Sequence, residues 1–185
     1  MYGGNYIKFI IFMLTALLWA GCTQKQQGQD EFRPERDITV IEGVPFVKQK
    51  DNFCGPASMA SVIQFYGDDV SQEEVSEEIY IPKLEGALIS DMENYARDRG
   101  YKVKAVNGSI EGIKSAIDSG KPVIMLVDRG MWKVSVPHYY VAYGYSENGE
   151  TVILHTGDEG GREMGFDKLD RQWEKMNRLM LVISK

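Results

Sequence analysis

Residues Gln49 to Ser58 read QKDNFCGPAS, and they lead into a run that is mostly apolar as far as Tyr66. Pro56 suits the first turn of a helix, where its missing N–H would have no partner anyway. Gly67 predicts the C-terminal end of this helix. Because a helix that is apolar nearly all round belongs in a core, the sequence predicts a buried helix from Cys54 to Tyr66 that begins with a cysteine.

Helix signals dominate the chain just after this segment. Ser71 with Glu74, and Ser90 with Glu93, form two capping boxes that predict helix starts. One apolar stripe predicts a further surface helix over residues 109–119.

Strand signals dominate the rest of the chain. We expect strands over 121–127, 138–145, 151–154 and 179–183, short extended segments at 38–41 and 44–47, and a helix over 166–174. The Asn148-Gly149 pair is a strong turn signal that joins 138–145 to 151–154 as a hairpin. Helices followed by an antiparallel sheet predict an α+β fold.

Composition excludes several classes of protein. The chain has 185 residues, 43% of them hydrophobic, and a formal net charge of −6. It is too apolar to be disordered. Its excess of acidic residues argues against nucleic-acid binding, which requires clustered Lys and Arg. With two Cys and two His in the whole chain, a four-cysteine zinc site is excluded by number, and no short-spaced ligand pair favours another metal. We expect no metal and no other cofactor.

The N-terminal residues predict a targeting signal. Phe9 to Ala20 is apolar except for Thr15, and as a helix it would span about 18 Å, too short to cross a bilayer. Such a run is typical of a secretory signal peptide. Its end, Ala20-Gly21-Cys22, resembles a bacterial lipoprotein box, which implies cleavage before Cys22 and lipid attached to the Cys22 thiol.

The polar residues that follow predict a flexible tether. We therefore divide the chain into a signal peptide at 1–21, a lipid-anchored tether at 22–37 and a folded domain at 38–185. The mature protein is expected in the cell envelope, held to the membrane through its N-terminal lipid. The residue after Cys22 is Thr23 and not Asp. In a host with two membranes, this indicates the outer membrane, with the protein facing the periplasm.

Cys54 is the candidate nucleophile. A thiol at the start of a helix faces unpaired backbone N–H groups and the positive end of the dipole, which favours the thiolate. Ionising most of a thiol at neutral pH takes about 3.4 kcal/mol, whereas a helix terminus supplies at most about 2 kcal/mol. A second partner is needed, and His138, at the start of a predicted strand, is the candidate. The alternatives are a small buried hydrophobe for Cys54 and a structural histidine for His138.

Together these residues resemble the C39-like peptidases of the papain-like superfamily, over about residues 44–184. The resemblance rests on Gln49 with CGPAS at 54–58, and on PHYYVAYGY at 137–145. It implies a papain-like fold, with a buried N-terminal helix packed on an antiparallel sheet. It also implies that Cys54 is the nucleophile, that His138 is the general base, and that Gln49 donates to the oxyanion hole beside the Cys54 N–H.

The residue that orients the histidine stays open among three candidates. The family usually places Asp or Asn on the next strand, and its register falls nearest His155 or Thr156. Counting back from the turn instead puts residue 157 or 159 opposite residue 138. Asp158 is the best candidate chemically, because a carboxylate both fixes the tautomer and stabilises an imidazolium.

These observations predict a cysteine peptidase of the cell envelope that hydrolyses a peptide or protein substrate through an acyl-enzyme. Two alternatives remain. One is a binding module of the same fold that has lost hydrolysis, and the other is a peptidoglycan amide hydrolase or acyl transferase of the same superfamily.

Overall fold

The computed structural model describes residues 37–185, which contain nine strands, five α-helices and one 3-10 turn. In chain order these are β1 Ile38–Val40, α1 Cys54–Phe65, α2 Gln72–Ile79, β2 Tyr80–Ile81, the 3-10 turn Pro82–Leu84, β3 Gly86–Ala87, α3 Ile89–Asp98, β4 Lys102–Asn107, α4 Ile110–Asp118, β5 Val123–Asp128, β6 Pro137–Ser146, β7 Thr151–His155, β8 Arg162–Gly165, α5 Phe166–Glu174 and β9 Leu179–Ser184.

The predicted signal peptide, Cys22 and nearly all of the predicted tether lie outside these described residues. Within residues 37–185, no helix is long and apolar enough to cross a bilayer.

A single antiparallel sheet holds seven of the described strands. Its order is β4-β9-β5-β6-β7-β8, and β1 pairs with the end of β6. The long strand β6 is the organising element, because it pairs with β5, β7 and β1. Strands β2 and β3 form a separate hairpin. The predicted α+β class, with a helix packed on an antiparallel sheet, is confirmed.

Helix α1 lies in the core, as its composition predicts. All residues from Gly55 to Ile63 are buried, and the helix packs on β6 and α2. The approach is close at Gly55, where an added Cβ would come within 2.8 Å of the Ala87 Cβ and 3.5 Å of the Tyr139 ring. Glycine at this position lets the β2–β3 hairpin and β6 meet at the start of the helix.

One of the two predicted capping boxes is confirmed and the other is wrong. Ser71 accepts from the Glu74 N–H and the Glu74 side chain bonds back, which opens α2. Helix α3 instead begins at Ile89, with Leu88 as its N-cap and no side-chain cap. The N–H groups of Asp91 and Met92 donate to the Leu88 carbonyl, so the backbone starts this helix before Ser90 is reached.

Candidate active site

Cys54 is the first residue of α1, directly after a tight turn. The Phe53 N–H donates to the Lys50 carbonyl at 3.0 Å, and Asn52 adopts a left-handed conformation with φ 63°. Phe53 is the N-cap, and no side chain bonds to the first N–H groups of the helix. These donors are therefore free to face the thiol.

The pKa of the Cys54 thiol is raised, because burial disfavours the thiolate. The backbone N–H groups of Tyr139, Gly55 and Cys54, and the charge of Arg129, act in the opposite direction without overcoming burial. The expectation that this position favours the thiolate is therefore wrong for the free protein. The N–H groups face the sulfur as predicted, but the desolvation of the half-buried thiol outweighs them.

His138 is the second residue of β6 and is buried, at 7% exposed. Its Nε2 lies 2.8 Å from the main-chain carbonyl oxygen of Thr156. Because a carbonyl can only accept a hydrogen bond, Nε2 carries the proton in the neutral ring and the lone pair is on Nδ1. Burial lowers the pKa of His138, while the Thr156 carbonyl acts to raise it. The neutral ring is therefore favoured, and Nδ1 can serve as a base.

A surface ion pair lies beside this histidine. Arg129 Nη1 is 3.3 Å from His138 Nε2 and 2.9 Å from Asp158 Oδ2. Since the Thr156 carbonyl requires Nε2 to be a donor, the Arg129 contact is electrostatic rather than a hydrogen bond. The Arg129 charge lowers the pKa of His138, and Asp158 acts to raise it.

Tyr139, the residue that follows His138 in β6, is what relates Cys54 to His138 in the fold. The thiol faces the Tyr139 N–H, which is the peptide group that joins Tyr139 to His138. Within residues 37–185, no hydrogen bond joins the Cys54 sulfur to the His138 ring. The two predicted catalytic residues are neighbours in the fold, but their proton-transfer contact is not formed in this structure.

The group that orients His138 is a main-chain carbonyl. Thr156 is thus the one of the three candidates that bonds the ring, and its side chain instead bonds Glu159. Asp158 reaches His138 only through Arg129. Glu147 and Glu150 close the turn as expected, and an irregularity between Ala142 and Gly144 shifts the pairing by one residue. The β6–β7 ladder ends at Val141 and His155, so Thr156 lies just beyond the last paired residue.

His155 faces away from the site. Its Nε2 bonds to the Val44 carbonyl at 3.1 Å, and its Nδ1 accepts from the Gly161 N–H at 3.3 Å. The ring lies against Phe46 and Tyr143, and burial lowers its pKa. Both ring nitrogens are satisfied in the neutral state, so His155 is a structural histidine that ties the segment before α1 to β7.

Gln49 lies against the loop that carries the orienting carbonyl. Its N–H donates to the Gly157 carbonyl at 3.0 Å, and its side-chain Oε1 is buried and has no hydrogen-bond partner in the part of the chain that the structure describes. Gly157 directly follows Thr156, so one loop contacts both the predicted oxyanion residue and the predicted base.

Within residues 37–185, no cluster of three or more His, Cys, Asp or Glu side chains could hold a metal.

Comparison with known families gives one match. Residues 41–180 match the model of the Peptidase_C39 like family. The chain belongs to this family. The match spans the described domain from just before α1 to β9, and so includes Cys54 and His138.

Solved structures of C39-like proteins have the same fold. A putative C39-like peptidase from Bacillus anthracis is 18% identical, with a TM-score of 0.66 over 82% of this chain and 98% of its own. The peptidase domain of Streptococcus ComA, a bifunctional ABC transporter of a quorum-sensing pathway, is 23% identical, with a TM-score of 0.63 over 76% and 98%. A double glycine motif protease from an AMS/PCAT transporter, solved with its leader peptide, is 21% identical, with a TM-score of 0.61 over 76% and 90%. No curated protein matches the chain.

Sequence reasoning missed one residue of this C39-like site, Gln72. It is buried at the start of α2, where its Nε2 donates to the Lys48 carbonyl and its Oε1 accepts from the Lys50 N–H, each at 2.9 Å. The two bonds clamp the residues on either side of Gln49. No local pattern marks this role, because Gln72 occupies an ordinary first-turn position beside a serine cap.

Proposed function

We propose that this C39-like domain is a cysteine peptidase, with Cys54 as nucleophile and His138 as general base. The observation that supports this most is the arrangement around the sulfur. The Cys54 thiol lies among three backbone N–H groups at a helix start, next to a strand residue whose Nε2 is held by a carbonyl and whose Nδ1 is free to accept a proton.

The chemistry begins from a neutral pair. As the Cys54 sulfur attacks the peptide carbonyl carbon, its proton passes to His138 Nδ1, and the carbonyl oxygen becomes an oxyanion. The Cys54 N–H and Gln49 Nε2 donate to that oxygen. The imidazolium then protonates the leaving amine, the C–N bond breaks, and a thioester remains on Cys54. A water molecule, deprotonated by His138, hydrolyses the thioester and restores the thiol.

The test compares substrate classes with the full chain. Unstructured peptides and purified muropeptides are incubated with the wild type and with Cys54→Ala, and products are identified by mass spectrometry. The proposal expects peptide cleavage that the variant lacks. Cleavage of muropeptides alone would favour the amide-hydrolase alternative, and peptide–amine ligation products would favour an acyl transferase.

A binding module of the same fold is the second candidate, because the Cys54 pKa is raised and no carboxylate of the described domain contacts His138 directly. It predicts that the wild type and Cys54→Ala bind a peptide equally, and that neither cleaves any peptide or muropeptide. Peptide turnover by the wild type would exclude it.

We also propose that the protein is a lipoprotein of the cell envelope. This proposal rests on the apolar run and on Ala20-Gly21-Cys22. Expression in a bacterium with two membranes should give a membrane-bound protein with acyl groups on Cys22. The Cys22→Ser variant should lack the acyl groups and remain as the uncleaved precursor. A wild-type chain without acyl mass would contradict the assignment.

A further inference from the structure

A cleft of about 480 Å³ opens beside Cys54, within the size range of pockets that bind small ligands. Its lining is mostly apolar and comes from distant parts of the chain: Leu84, Leu88, Leu126, Pro137, Met176 and Leu179. Tyr139 completes the wall nearest the thiol, and Glu85 is the one carboxylate among the described residues that line the cleft. The nucleophile therefore lies on the wall of a pocket that favours apolar groups.

The pocket is built rather than left by loose packing. The Tyr139 hydroxyl donates to the Ala87 carbonyl at 3.1 Å, which fixes the β2–β3 hairpin to β6. Gly55 allows that hairpin to approach the start of α1, since an added Cβ would come within 2.8 Å of Ala87. The wall next to the sulfur is thus held by contacts between three elements.

The rim of the cleft exposes two leucines to solvent. Leu84 is 58% exposed and Leu88 is 46% exposed, and both lie on the segment that runs from the 3-10 turn to α3. Two partly exposed leucines that line the same concave surface favour the binding of an apolar group there.

Resting on the proposed function, we infer that the substrate carries a large apolar side chain, such as Leu, Met or Phe, within two residues of the scissile bond. The attacked carbonyl carbon must contact the Cys54 sulfur, and successive residues of an extended peptide are about 3.3 Å apart. A side chain within two residues of the scissile bond, about 7 Å or less along the peptide, can therefore enter a cleft whose wall includes Cys54. Glycine there would leave the apolar walls in contact with water. An acidic side chain would face Glu85.

The test measures kcat/KM of the full chain on blocked peptides that differ only in the four residues around the scissile bond. At one of these positions, Leu, Met or Phe should exceed Gly by about tenfold or more, and Asp should be the poorest. Leu88→Ser should reduce the apolar-to-glycine ratio at least about threefold. Serine is a favoured N-cap for α3, so this variant is expected to fold. Val106→Thr changes a residue that is 38% exposed and outside the cleft, and should leave the ratio unchanged.

The outcomes separate this inference from the proposed function. Cys54-dependent cleavage that prefers Gly at every position, or a ratio unchanged in Leu88→Ser, would overturn the apolar specificity and leave the peptidase standing. If no peptide is cleaved in a Cys54-dependent way, the proposed function fails and the specificity fails with it.

Discussion

Gly157 lies directly against the side chain of Gln49. The Gln49 N–H donates to the Gly157 carbonyl at 3.0 Å, and a Cβ added to Gly157 would come within 2.1 Å of Gln49 Oε1. Gly157 also has φ +83°, a conformation that other residues rarely adopt. The glycine therefore serves two ends: it turns the loop after the orienting carbonyl, and it makes room for the predicted oxyanion residue.

Gly157→Ala should consequently lower both stability and kcat. The backbone conformation alone costs about 1–2 kcal/mol of unfolding free energy, and the clash with Gln49 adds to it. Gly43→Ala is the matched control, since Gly43 has φ +80° and nothing within 4 Å of an added Cβ. Denaturant unfolding and peptide turnover should show a similar backbone cost in both variants, with the loss of kcat confined to Gly157→Ala. Equal kcat in the two variants would refute the positioning role.

The Gln72→Ala variant should lower kcat by displacing Gln49, in addition to lowering the free energy of unfolding. The substitution leaves the Lys48 carbonyl and the Lys50 N–H without their partner, which costs about 1–3 kcal/mol, and it releases the segment that holds Gln49. Gln64→Ala provides the comparison, because the Gln64 Nε2 makes a similar bond, to the Val70 carbonyl at 2.7 Å.

Both glutamine variants should lose stability by thermal or denaturant unfolding, but only Gln72→Ala should lower kcat more than it raises KM. If Gln64→Ala reduced kcat to the same extent, Gln72 would have only a structural role.

Asp158→Asn should retain most activity. In a triad with a carboxylate, the corresponding change costs about 10⁴ in kcat, whereas here the Thr156 carbonyl contacts His138 at 2.8 Å and Asp158 contacts Arg129. We expect kcat/KM to fall by less than about tenfold, which is below the contribution of about 10²–10⁴-fold that is typical of a general base. A loss as large as that of Cys54→Ala would show that Asp158 moves onto the histidine when substrate binds.

Arg129→Gln should move the acid limb of the kcat/KM profile to higher pH. The Arg129 charge disfavours the imidazolium and so lowers the pKa of His138. Its removal, which also frees the Asp158 carboxylate, should raise that pKa, and the base is then lost at a higher pH as the medium is acidified.

The control for this profile is Arg97→Gln, which breaks an exposed ion pair with Glu93 on α3. Its acid limb should stay in place. A shift of the Arg129→Gln limb to lower pH would contradict the electrostatic account.

Local patterns were enough to predict the elements that carry the site. The apolar run with Pro56 and Gly67 predicts α1, and Asn148-Gly149 predicts the β6–β7 hairpin, because both signals act over a few residues. Strand β4 is not among the predicted strands; its pairing with β9, which is far along the chain, is what makes it a strand.

The charge state and the third residue of the site depend on tertiary structure. The thiol pKa follows from how much of the fold covers Cys54, which a helix-start signal does not report. The orienting group is a backbone atom, so the identity of residue 156 contains no signal for it. The irregularity between Ala142 and Gly144 moves the register by one residue, enough to exchange one candidate for its neighbour.

The central claim is that the Cys54 sulfur forms a covalent bond with the acyl part of a peptide substrate. The most direct measurement is acid quenching of the full chain during turnover, followed by intact-mass analysis and peptide mapping. The mechanism predicts an added mass equal to that of the N-terminal cleavage product less one water, attached to Cys54 and removed by hydroxylamine, with neither adduct nor cleavage in Cys54→Ala. Peptide cleavage that persists in Cys54→Ala, or an adduct on another residue, would contradict it.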